Sequence, residues 1–108
     1  RYELKTRIED FRLYLEEKKD CRIGIYGSGI TAEKLLNIKE IREHTIGIYE
    51  KEAKSKYIIG GEEYKSLDIN KVAEEKIDAI LIGSEKKEVI DIIRRRIRKI
   101  KELGITIF

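Results

Sequence analysis

The sequence predicts an α/β fold in three layers. A mostly parallel sheet, in strand order about 3-2-1-4-5, lies between helices, and an extra helix stands at the N terminus. Three observations predict it. Short apolar runs at 22–26, 45–50, 77–84 and 105–108 alternate with segments of helical periodicity, as in strands joined by right-handed crossovers. The run "IDAILIGS" at 77–84 is apolar at nearly every position, which is the signature of a strand buried on both faces. With 108 residues, 41% of them hydrophobic and 42% charged, the chain suits one small domain with a densely charged surface.

Residues 2–19 read as a helix, because Leu4, Ile8, Phe11 and Leu15 are spaced by four, three and four and share a face. Residues 1–20 are thus expected to be a helical connector, with the domain proper over 21–108. "RIGIY" at 22–26 is the first strand, and a helix runs from Thr31 to about Ile38. "TIGIYE" at 45–50 is the second strand and echoes the first. Residues 56–70 hold a short strand, a Gly60-Gly61 turn and an extended piece around Tyr64. Asp68 or Asn70 is placed to cap a short helix reaching about Lys76. After the strand at 77–84, Ser84 is placed to cap a helix running to about Leu103, whose buried stripe is Ile90, Ile93, Ile97 and Ile100. Gly104 closes that helix, and "ITIF" at 105–108 is the last strand, an edge open to pairing with a second copy.

Charge and composition exclude several classes. The chain carries 24 basic and 21 acidic residues, net +3, too balanced for a dedicated nucleic-acid binder. The basic run Arg94, Arg95, Arg96, Arg98, Lys99 and Lys101 lacks interleaved aromatics and reads as a solvated face. No apolar run is long enough to span a bilayer, and no partner membrane is expected. The single Cys21 can form neither an internal disulfide nor a cysteine metal site, which makes the cytoplasm the default compartment. His44, the only histidine, suits a helix end. Opening at Arg1 rather than methionine is expected of a piece of a longer protein, with a covalently linked domain upstream.

The candidate site is the stretch Gly27-Ser28-Gly29-Ile30-Thr31-Ala32, which matches G-x-G-x-x-G/A between a strand and a helix. Gly27 permits a sharp turn, Gly29 lets backbone approach a pyrophosphate, and Ala32 allows close helix–strand packing. Ile30 and Thr31 open the helix, where free N–H groups face an anion. Glu50 ends the second strand, 23 residues beyond Gly27, where a carboxylate accepts hydrogen bonds from ribose hydroxyls and disfavours a 2′-phosphate. Lys51, Lys54 and Lys56 blunt that preference. Gly83 and Ser84 follow the fourth strand, where ligands gather in open parallel sheets. Each feature also has a plain structural reading: a compact turn, a solvated strand end, a helix cap.

On "IYGSGITAEKLL", "IGIYE", "IIGGEEYKSLDI" and "IDAILIGS", spanning about residues 22–84, the chain resembles a short Rossmann-type module. That module, NAD- or CoA-binding-like, occurs beside sugar-processing enzymes of bacterial polysaccharide biosynthesis. Its relatives lie in nucleotide-sugar dehydratases, in sugar acyltransferases and at the end of sugar methyltransferases. Glu50 stands where the group usually has aspartate, and Ala32 where it often has a third glycine. The resemblance implies the fold, and a small-molecule nucleotide, NAD among the candidates, as ligand. Three functions stay open: a nucleotide-binding module of a larger enzyme, for which the resemblance implies nucleotide sugars; a non-catalytic scaffold or dimerisation domain; and an NAD-dependent oxidoreductase. The last lacks room for a substrate domain and shows no Tyr-x-x-x-Lys pattern with an upstream catalytic serine.

Overall fold

The computed structural model describes residues 2–108. Helix α1 (Leu4–Glu17) leads into β1 (Ile23–Tyr26), followed by α2 (Ile30–Leu36), α3 (Lys39–His44) and β2 (Thr45–Tyr49). A hairpin of β3 (Lys56–Ile59) and β4 (Glu62–Lys65) comes next, then a 3-10 turn Ile69–Lys71 and β5 (Ala79–Ile82). Helix α4 (Lys87–Ile97) continues as a 3-10 segment Arg98–Leu103 before β6 (Thr106–Ile107). Four strands form one parallel sheet in the order β2-β1-β5-β6.

Strand alternation sends side chains to two cores. Ile23 and Ile25 of β1 and Ala79 and Leu81 of β5 join Phe11, Leu35, Leu36, Ile41, Tyr57 and Ile59 in one cluster. Tyr26, Tyr49, Ile80 and Ile82 join the α4 stripe Ile90, Ile93 and Ile97, with Ile100 of the following 3-10 segment, in the other. The two central strands, β1 and β5, are buried at every residue. Helix α1 belongs to the first core. Phe11 is fully buried, edge-on to Phe108 at 5.7 Å between ring centroids.

The repeated "IGIY" has a packing reason. In the β1–β2 register Gly24 pairs with Gly47, Ile25 with Ile48 and Tyr26 with Tyr49. The Tyr26 and Tyr49 rings stack with centroids 6.5 Å apart. A Cβ on Gly24 would lie 2.5 Å from Cε2 of Tyr49, and one on Gly47 2.6 Å from Cγ of Leu67. The glycines are small because neighbouring side chains lie across them.

Several elements differ from expectation, each for a local reason. The piece around Tyr64 pairs antiparallel with β3. It joins β2 only through an isolated parallel bridge, Ile48 to Ser66, with the Leu67 N–H donating to the Ile48 carbonyl at 2.8 Å. The helix expected to reach Ile38 stops at Leu36, whose carbonyl accepts from Nη1 of Arg42 at 3.0 Å, and extended backbone at Ile38 starts the separate α3. Asp68 does cap, accepting from the Asn70 N–H at 3.0 Å, but the 3-10 turn is short and Lys76, at φ 57°, ends the segment. Ser84 is not the cap of α4. Its carbonyl is held by Arg7, and the first bond of that helix runs from the Ile90 N–H to the Lys86 carbonyl. Among the described residues no helix is long and apolar enough to cross a membrane.

Candidate functional site

The carboxyl ends of β1, β2 and β5 come together at the glycine turn. The chain leaves β1 at Gly27 with φ +121°, a conformation that side chains rarely adopt. The Gly27 N–H donates to the Tyr49 carbonyl at 2.9 Å, and the Gly83 N–H to the Tyr26 carbonyl at 2.8 Å. A Cβ on Gly27 would lie 3.2 Å from the Gly83 carbonyl oxygen, and one on Gly83 3.4 Å from Cβ of Ala32. Ala32, fully buried, therefore packs α2 onto the strands as its small size suggested.

Ser28 ties this turn to the end of β2. Its hydroxyl donates to Oε2 of Glu50 at 2.6 Å, and both residues are half-buried. Gly29 is exposed, adopts φ −90° and ψ −154°, and serves as the N-cap of α2 without a side-chain hydrogen bond. The first bond across it is from the Glu33 N–H to the Gly29 carbonyl, so the preceding amides of the first turn have no intrahelical acceptor. A Cβ on Gly29 would meet nothing within 4 Å. Ile30 is 77% exposed beside it, and Thr31 is half-buried on the same turn. Ser84 lies one residue beyond Gly83, and its hydroxyl accepts from the Lys86 N–H at 3.1 Å. Ser28 is thus bonded to Glu50 and Gly27 lies beside Gly83, with Gly29, Ile30, Thr31 and Ser84 adjoining them in the chain.

The sequence reading missed Arg7. It lies three residues after Leu4 and four before Phe11, inside the apolar stripe of α1, and this placement was the available signal. It is only 4% exposed. Nη1 donates to the Ile82 carbonyl at 2.7 Å, and Nη2 donates to the Ser84 carbonyl. Burial, seconded by Arg94 and opposed by Glu85, presses its pKa down to about 10, so it remains charged at neutral pH.

Other reactive side chains have structural work. Cys21 is buried and its thiol is pushed up chiefly by that burial. Nδ1 of His44 lies 2.9 Å from the Cys21 carbonyl and 3.8 Å from its sulfur. The Tyr49 hydroxyl donates to Glu75 at 2.6 Å, and Arg96 of the basic helix donates to the Tyr26 hydroxyl at 3.2 Å. Among the described residues no group of three or more His, Cys, Asp or Glu gathers to hold a metal ion. A cavity of about 720 Å³ opens at the other end of the sheet, between the start of β2 and the segment 63–67. Its cations and carboxylates are mixed, and Glu75 is already bonded to Tyr49 and to the Asp68 N–H. Ligands of open parallel sheets gather instead at the carboxyl ends, so the glycine turn is the better candidate.

In comparisons with protein-family models, curated proteins and solved structures, nothing matches this chain.

Proposed function

We propose that the chain is a three-layer, Rossmann-like nucleotide-binding module of a larger cytoplasmic enzyme, one acting on nucleotide sugars. Counting the bridge from Ile48 to Ser66 as the place of a third strand, the order becomes 3-2-1-4-5. Gly27, Ser28 and Gly29, with Ile30 and Thr31, take the diphosphate. Glu50, presented by Ser28, takes the ribose, and Gly83 and Ser84 form the facing wall. NAD is the first candidate ligand. A bound NAD supplies a hydride acceptor, while the residues named here only bind and orient.

One observation carries this reading. Gly27 and Gly83 are small for internal reasons, since a Cβ on either would crowd neighbouring backbone. Gly29 is not: its dihedrals suit any residue and its missing Cβ faces open space. A glycine that the fold itself does not require, at the head of a strand–turn–helix, is explained by close approach of something from outside, as a pyrophosphate demands.

The test is a thermal-shift panel with NAD, NADP, coenzyme A, and UDP- and GDP-sugars. A ligand at a hundred times its Kd stabilises the fold by about 2.7 kcal/mol. Gly29→Asp caps a helix at least as well as glycine, so the free protein keeps its melting temperature. The new side chain and its charge occupy the phosphate position, and the ligand-induced shift disappears. A flat response to the whole panel would favour the scaffold reading, in which the edge strand β6 pairs between copies.

A further inference from the structure

Among the described residues Arg7 is the one buried charged side chain, and the proposed nucleotide contacts do not use it. Burying a guanidinium is unfavourable unless its donors are satisfied. Here two of the three guanidinium nitrogens donate and the third does not: Nε is buried without a partner. Both acceptors, the carbonyls of Ile82 and Ser84, are neutral. Among the described residues none of the ion pairs found involves Arg7. Glu85, the nearby acid that favours its charge, is itself bonded to Lys34 at 2.8 Å.

The position of this charge matters. Ile82 and Ser84 flank Gly83, and the Gly83 carbonyl is the atom closest to where a Gly27 Cβ would stand, at 3.2 Å. The guanidinium therefore lies directly behind the wall of the glycine turn. It engages two carbonyl oxygens whose negative ends would otherwise be available at the carboxyl edge of β5. A desolvated charge acts over longer distances than an exposed one, because solvent screens it less.

We propose that Arg7 is a positioning residue and built-in countercharge for the candidate site: it holds the 82–84 loop and biases the mouth toward ligands bearing a diphosphate over the corresponding nucleosides. This rests on the nucleotide-binding reading and specifies its ligand class. Helix α1 is then part of the binding unit as well as of the core.

The experiment compares wild type, Arg7→Met, Arg7→Lys and Glu85→Gln in the full chain. Affinities for NAD and UDP-glucose, and for adenosine and uridine, are measured by calorimetry at low and at moderate salt, after circular dichroism confirms each fold. Arg7→Met should weaken diphosphate ligands on the order of tenfold, the scale expected from removing one poorly screened charge, with nucleoside binding unchanged. Arg7→Lys restores most of the loss. Glu85→Gln leaves both Arg7 hydrogen bonds in place and tightens diphosphate binding, which keeps the proposal open to refutation even where Arg7→Met does not fold. Wild type that binds no diphosphate ligand removes the nucleotide-binding reading and this inference with it. Wild type that binds, with a diphosphate-to-nucleoside ratio unmoved by the Arg7 variants, or by Glu85→Gln if those do not fold, overturns the inference alone.

Discussion

Replacing Phe11 by alanine tests whether α1 belongs to the body of the molecule. The ring is fully buried, lies edge-on to Phe108 at 5.7 Å and is stacked near Tyr14 at 6.3 Å. Removing it deletes the aromatic contacts and leaves a void that packed neighbours fill only in part. Such truncations cost about 3–5 kcal/mol, against a total of roughly 5–15 kcal/mol for a domain of this size. Urea unfolding followed by circular dichroism is the assay. The midpoint should fall steeply with the slope unchanged, because the surface exposed on unfolding stays nearly the same. A loss below about 1 kcal/mol, well under the range for a buried phenylalanine, would mean that α1 is only loosely attached. The placement of Arg7 behind the site would then lose its support.

Three further outcomes follow from local packing and burial. Gly24→Ala sets a methyl 2.5 Å from the Tyr49 ring and should destabilise by about 1–3 kcal/mol, the usual cost of overpacking, as read from denaturant melts. Tyr49 has its pKa raised by burial first and by Glu75 second. Its contribution is therefore complete below about pH 10, where an unfolded tyrosine ionises, and declines as pH rises beyond that, because the unfolded chain releases its proton first. Arg7, with its folded pKa lowered to about 10, acts in the opposite sense, so the cleanest reading is the difference between wild type and Tyr49→Phe. Melts from pH 8 to 11 should show a shallower alkaline decline in the variant. Finally, Cys21 is 5% exposed with its thiol pushed up, and thiolate is the reactive form. Labelling with a thiol reagent at pH 8 should be slow in the native protein and immediate in denaturant. Rapid native labelling would contradict the burial.

The parts of the fold that periodicity controls were legible in advance. The strands at 23–26, 45–49 and 79–82, the strand and turn leading through Gly60-Gly61 and the isoleucine stripe of α4 all follow from local pattern; the pairing of β3 with β4 apart from the parallel sheet does not. What else escaped depends on side chains that reach back to main-chain carbonyls. The end of α2 is set by Arg42 reaching the Leu36 carbonyl, and the role of Ser84 is set by Arg7, 77 residues away in sequence. No local rule reports either contact. The site was legible as a turn, since its glycines and Glu50 lie where a strand–turn–helix would place them. Its charged backing was not, because an arginine on an amphipathic helix is normally assigned to solvent.

The glycines separate two questions that a motif alone runs together. Gly24 and Gly47 lie beneath Tyr49 and Leu67, and Gly27 has a positive φ beside Gly83; a scaffold that never met a ligand would still need all three. A sequence match that counts them therefore says more about packing than about binding. Gly29 is different, because no contact around it requires a glycine; Arg7 differs in another way, because it serves neutral carbonyls while carrying a buried charge. An apolar side chain of similar length would remove the desolvation of a guanidinium but leave the Ile82 and Ser84 carbonyls without their donor, so the stability change is the balance of the two. If Arg7→Met raises stability while weakening diphosphate ligands, the charge is held against the interest of the fold, and binding is the physical reason for holding it.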